Sequence, residues 1–250
     1  MTSTISTGPS TTPRMDPMRR TAFLGGVTYL VTFAASIPAA FYFLTPVLDD
    51  PDYVLGPGAD TRVVTGGLLD MVNALACIAT AVVLFPVLKR KNQALALGFV
   101  ASRLLEAAII AAGVMSLLAV VTLRQDLAGA PRAATDSLST TAASLVAIRD
   151  WSFRFGPGVM AVVNAALLGT LLYRSGLVPR VIPLMGLIGA PLFLAAEIAT
   201  IYGVTDDSSL WSTIAVAPIF CWELSLGVYL TVKGFRPSAV AALPPAPAIR

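Results

Sequence analysis

Asp70, Arg103, Glu106, Glu197 and Glu223 interrupt long apolar runs, and Asp150 and Arg154 stand at the beginning of another. An Asp, Lys or Arg at the centre of a bilayer costs about 2.5–3.5 kcal/mol on insertion scales. Left facing lipid, these groups would together cost on the order of 15 kcal/mol, so they are expected to point inward. Spacing agrees with this expectation. Arg103 and Glu106 are three residues apart and share a helix face, as do Asp150 and Arg154 four apart; Asn73 extends the stripe begun by Asp70.

The charges do not balance. Asp70, Glu106, Asp150, Glu197 and Glu223 face only Arg103, Arg149 and Arg154. If all share one site, two acids have no arginine, and an unpaired acid in low dielectric takes up a proton or binds a cation. The expected chemistry is therefore an internal acidic site. Glu106, Glu197 and Glu223 would hold a proton or a small cationic ligand, and Arg103 would orient them. The competing reading makes the same residues structural ion pairs that set helix register in a non-catalytic sensor or scaffold.

Other chemistries lack their residues. With no histidine, imidazole zinc sites, His-based triads and His proton shuttles are excluded. Cys77 and Cys221 lie in apolar runs without metal-ligand spacing and read as small buried hydrophobes. There is no GxxxxGK[ST], no GxGxxG and no nucleophile elbow. No catalytic, metal or cofactor-binding residue is assigned and no cofactor is expected. An intramembrane hydrolase or transferase working with carboxylates alone is the remaining enzymatic alternative.

The elements that would position these residues are membrane spans. The 250 residues are 56% hydrophobic and 12% charged, with mean hydropathy +0.79. A soluble domain carries about 25% charged residues. About 20 apolar residues cross the ~30 Å hydrocarbon layer. Six segments qualify: 21–47, 65–88, 94–123, a fourth ending at Tyr173, 181–202 and 211–232. The fold class is thus all-α, a six-helix transmembrane bundle. Before the fourth span, 139–154 reads either as an amphipathic helix along the interface or as the protruding start of one long helix. By depth, Glu106 and Glu223 fall near the midplane, and Asp70, Asp150, Arg154 and Glu197 in the outer half, as in a polar cavity tapering inward. Pro38, Pro157, Pro191 and Pro218 fall within spans and should loosen them. Gly156 with Gly158, and Gly186 with Gly189, permit close helix contact.

Basic residues set the orientation. With the N-terminus inside, Arg14, Arg19, Arg20, Lys89, Arg90, Lys91, Arg174, Arg180, Lys233, Arg236 and Arg250 are cytoplasmic; Arg62, Arg124 and Arg132 fall on the opposite side, where Arg149 and Arg154 are candidates too. Asp49, Asp50, Asp52, Asp60, Asp126, Asp136, Asp206 and Asp207 fall outside. Both termini are then cytoplasmic in a multi-pass protein of the cell membrane. The formal charge of +3 and pI near 9.1 come from these clusters, which argues for a lipid partner and against nucleic acid. Residues 1–18 read as a disordered cytoplasmic tail, 19–236 as the transmembrane domain and 237–250 as a second disordered tail. A homo-oligomer would be one way to complete a pathway.

Three segments in order carry a family resemblance: "LLDMVNALACIATAVVLFPVLKRKNQALALGFVASRLLEAAI", "LLYRSGLVPRVIPLMGLIGAP" and "APIFCWELSLGVYLTVKGF". Over 19–235 the chain resembles the bacterial membrane family called domain of unknown function 4386. The resemblance implies a compact six-helix membrane protein and no particular activity.

Overall fold

The computed structural model describes residues 15–56, 58–127, 135–206 and 209–245. Residues 1–14 of the tail expected over 1–18, and Arg132, Asp207 and 246–250, lie outside the described residues, while Pro17 and Met18 of that tail are helical. Chain order gives α1 (Pro17–Pro38), α2 (Thr45–Leu48), α3 (Asp60–Leu88), α4 (Gln93–Leu127), α5 (Thr135–Phe153), α6 (Ala161–Ser175), α7 (Val181–Ile201), α8 (Leu210–Val232) and α9 (Pro237–Ala241). Two π-helical turns, Ala39–Phe43 and Arg154–Met160, extend α1 and join α5 to α6.

Among the described residues six helices are long and apolar enough to cross a membrane: Pro17–Phe43, Asp60–Leu88, Gln93–Asp126, Asp136–Ser175, Val181–Ile201 and Leu210–Val232. They make the chain a multi-pass membrane protein. Large apolar side chains on their outer faces, Leu68, Leu75, Met115, Ile188 and Val232 among them, are exposed, as a lipid-facing surface requires. Cys221 is exposed on that surface too, which corrects the expectation that both cysteines are buried; Cys77 is buried.

Local chemistry sets the helix ends. The Asp16 carboxylate accepts from the backbone N–H groups of Met18 and Arg19 at 3.1 and 3.2 Å, and Pro17 fills the first turn, where its missing N–H costs nothing. The helix therefore begins ahead of the first apolar run. Gly176, at φ 66°, ends α6 in the left-handed conformation that glycine tolerates.

The fourth crossing resolves the open alternative at 139–154. Helical structure is continuous from α5 through the π turn into α6, and Asp136–Ser175 counts 40 residues. At 1.5 Å per residue that is ~60 Å, about twice the hydrocarbon thickness, so the α5 end projects beyond the bilayer. Pro157 lies within the π turn, where its missing N–H and ring disfavour regular α-helical bonding.

The six crossings close into a ring. α1 packs on α3 and α8, α3 on α4, α4 on α5 and α6, α6 on α7, and α7 on α8. Glycines set the tightest of these contacts: a Cβ on Gly186 would lie 2.7 Å from the Trp222 ring. An even number of crossings brings both chain ends to one end of the bundle. There Arg19 donates to the carbonyls of Leu230, Thr231 and Val232 at 3.2, 2.7 and 3.1 Å, satisfying the carbonyls that the end of α8 leaves open.

The expected disordered tail from 237 is corrected over its first part. α9 docks on the bundle: Arg236 N–H donates to Leu177 O at 2.9 Å, and Arg90 donates to Pro244 O at 2.7 Å. Leu243 is buried in the main core beside Val240. Val240 and Leu243 are the segment's apolar anchors, and Arg90 is its donor from the bundle. At the opposite end, Arg124 pairs with Asp60, and the Tyr53 hydroxyl donates to the same carboxylate at 2.8 Å. Burial and the Asp60 carboxylate push the Tyr53 hydroxyl above its ordinary range.

Candidate functional site

Arg103 is the centre of the polar interior. Its position on α4 turns it toward α1, α3 and α8, and its side chain is only 3% exposed. One terminal nitrogen donates to Glu106 at 3.0 Å and lies 3.4 Å from Cys77 Sγ. The other donates to Glu223 and to the Tyr29 hydroxyl, both at 3.0 Å. The guanidinium also lies 5.1 Å from the Tyr29 ring centroid, within cation–π range. Its Nε has no acceptor among the described residues.

The two glutamates are not equivalent. Glu106 also accepts from Asn164 Nδ2 at 2.8 Å, and Ser102 orients that amide by donating to Asn164 Oδ1 at 2.6 Å. Glu106 is 6% exposed and held from two sides. Glu223 takes its one described hydrogen bond from Arg103 and is 17% exposed. One arginine serves two carboxylates, and Glu223 is the more accessible and less bonded of them.

Arg103, Glu106 and Glu223 form one wall of a cavity of about 190 Å³ between α1, α3, α4, α8 and the α5–α6 helix. Along α1 and the π turn that extends it, the lining runs from Thr32 to Phe41, ten residues or ~14 Å of helix. Asp70, Asn73 and Arg149 line it as well, together with the rings of Phe33 and Phe153. Asn73 is buried and lies 3.8 Å from Cys77 Sγ. Arg149 is 7% exposed and stacks over Phe153 at 4.5 Å. Ionised, these cavity groups count three acids and two arginines.

Of the residues singled out from sequence, Asp70, Asn73, Arg103, Glu106 and Glu223 meet in this cavity. Arg154 and Glu197 are placed elsewhere: they pair with each other at 3.4 Å, across α7 and the π turn. Gly158 makes room for that pair, since a Cβ there would lie 3.0 Å from the Glu197 carboxyl carbon. Asp150 is exposed and outside the cavity lining. Glu197 thus leaves the acidic set expected with Glu106 and Glu223. Sequence reasoning missed Tyr29, Ser102 and Asn164. Asn164 had a usable signal, an amide inside an apolar run, while a Tyr or Ser in a membrane helix is too ordinary to point anywhere.

No curated protein and no solved structure matches the chain. A family model described as "Domain of unknown function (DUF4386)" matches residues 24–234. That stretch takes in five of the six crossings entire and most of the first, with every cavity-lining residue named above, so the chain belongs to the DUF4386 family.

Proposed function

We propose that this protein is a small transporter or ligand-binding protein of the cell membrane, with an internal acidic site that holds a proton or a cation. The observation that carries the reading is the surplus carboxylate of the cavity. Arg103 neutralises one of its two glutamates, and a second charge at low dielectric needs a proton, a cation or a ligand group. Glu223 is the surplus group; Glu106 positions Arg103. The prolines and π turns beside the cavity loosen the helices that a ligand would have to pass. In this reading the carboxylates bind charge and do not catalyse.

The orientation belongs to the same proposal: the Lys89–Lys91 turn and both termini are cytoplasmic, and Asp49–Asp52 are outside. Single-cysteine variants at Lys91 and Asp50, in a background lacking Cys77 and Cys221, should label from opposite sides of sealed cells.

The functional test is proton or cation movement in proteoliposomes carrying a pH-sensitive dye. Wild-type protein should dissipate an imposed proton gradient, alone or with added organic amines. Glu223→Gln should lose this activity and Glu197→Gln should keep it. Flux equal to that of empty liposomes under all conditions would remove the transporter reading. The Arg154–Glu197 pair favours the structural alternative locally, because both partners lie outside the cavity lining and form an ion pair at 3.4 Å.

A further inference from the structure

We infer that the cavity holds a zwitterion, an α-amino acid with a compact apolar side chain, between Asp70 and Arg149. The inference rests on the proposal above that the cavity is a ligand site, and it names the ligand class.

Arg149 is a buried guanidinium that, among the described residues, makes no hydrogen bond and no direct ion pair; its contact is the face of Phe153. Asp70, part-buried across the same cavity, likewise has no hydrogen-bonding partner among the described residues. The two are near enough to act on each other electrostatically, and Asp70 is the foremost counter-charge of Arg149, ahead of Asp150. They are opposite charges lining one cavity with no direct contact between them.

Such an arrangement is costly when empty, because buried charges need hydrogen-bonded partners as well as a distant counter-charge. A zwitterion supplies both partners at once. Its carboxylate fits the planar fork of Arg149 in a bidentate pair, and its ammonium donates to Asp70. It brings no net charge, so the proton or cation balance at Glu223 is untouched.

The surroundings suit such a ligand. Phe33, Phe153 and Val114 provide apolar wall for a side chain. A Cβ at Gly113 would lie 3.0 Å from Ser152 Cβ and 3.8 Å from Arg149 Cγ, so the glycine keeps clear the space through which Arg149 reaches the cavity. The volume, about 190 Å³, exceeds the ~150 Å³ of an engineered cavity that takes benzene and matches a leucine-sized molecule.

The test uses three molecules that share a 3-methylbutyl group: L-leucine, its decarboxylated amine 3-methylbutylamine and its deaminated acid 4-methylpentanoate. Binding to the purified full chain in detergent is followed by calorimetry and by thermal shift. Leucine should bind, and each half-ligand should bind at least tenfold more weakly. Arg149→Gln should abolish the preference for leucine over the amine, and Asp70→Asn the preference over the carboxylate. The double variant Asp70→Asn/Arg149→Gln should fold at least as well as wild type, because it removes two unsatisfied charges, and should not bind leucine. If the amine binds as tightly as leucine, the zwitterion inference is overturned while the acidic-site proposal stands. If none of the three binds and Glu223→Gln also leaves proton flux unchanged, both fall. Leucine binding that survives in the double variant would overturn the placement between Asp70 and Arg149.

Discussion

Replacing Arg103 by Met removes the charge and keeps a long, unbranched apolar side chain in its place. Glu106, Glu223 and the Tyr29 hydroxyl each lose a hydrogen bond of 3.0 Å, and two carboxylates remain with no cation between them. Each charge-assisted bond contributes about 1.5–3 kcal/mol, and breaking a buried ion pair by removing one partner costs about 3–5 kcal/mol. The second figure already contains much of the first, so the expected loss is about 3–5 kcal/mol. For a domain of about 150–250 residues, 1 kcal/mol moves the melting temperature by about 2–4 °C, which gives a drop of roughly 6–20 °C. Thermal unfolding in detergent at pH 8 measures it. Adding Glu106→Gln and Glu223→Gln to Arg103→Met should recover more than half the loss, because the cost lies in uncompensated charge. A loss below about 1 kcal/mol for Arg103→Met at pH 8, or a triple variant less stable than the single, would refute the claim that Arg103 neutralises this cluster.

Helix packing makes a paired prediction. A Cβ at Gly26 would lie 2.5 Å from the Thr231 backbone nitrogen and 2.7 Å from Gly227 O, and that backbone cannot yield cheaply. Gly26→Ala should therefore cost about 1–3 kcal/mol. Gly67→Ala meets Val114 at an ordinary 3.4 Å and should be neutral or gain up to about 1 kcal/mol from helix propensity; comparing the two melting temperatures checks both. Glu197→Gln removes the ion pair that Glu197 makes with Arg154 at 3.4 Å and should cost about 1–3 kcal/mol. It should leave flux and ligand binding unchanged, and a change in either would place the pair in the functional site.

The fold was legible because membrane helices announce themselves by length and apolarity, and six spans emerge within a few residues of their expected bounds. The errors occur where local chemistry outruns hydropathy. Asp16 and Pro17 start α1 early, while the continuous helix through Pro157 selects the single long helix from the two alternatives that composition left open at 139–154. α9 is held by Arg90 and Leu243, which no periodicity of five residues could reveal. Within the site, burial cost identified Arg103, Glu106 and Glu223 as inward-facing, since lipid excludes the alternative. It could not say which inward groups meet. Glu197 and Glu223 look alike in sequence, each a lone acid following a proline, yet one faces Arg154 and the other Arg103. That difference depends on which neighbours the ring of helices places beside each, and on Gly158 making room for one of them.

In the proposed reading Glu223 carries a charge the fold does not need. Thermal stability of wild type, Glu223→Gln and Glu106→Gln from about pH 5 to 9 tests it most directly. A Gln at 223 can still accept from Arg103, so the account predicts a variant at least as stable as wild type at pH 8, with the pH response of wild type flattened. Glu106→Gln should instead lose about 1–3 kcal/mol, because Arg103 and Asn164 both depend on that carboxylate. If Glu223→Gln is destabilised as strongly as Glu106→Gln and follows wild type in its pH response, the cluster is a structural triad and the acidic-site account is contradicted.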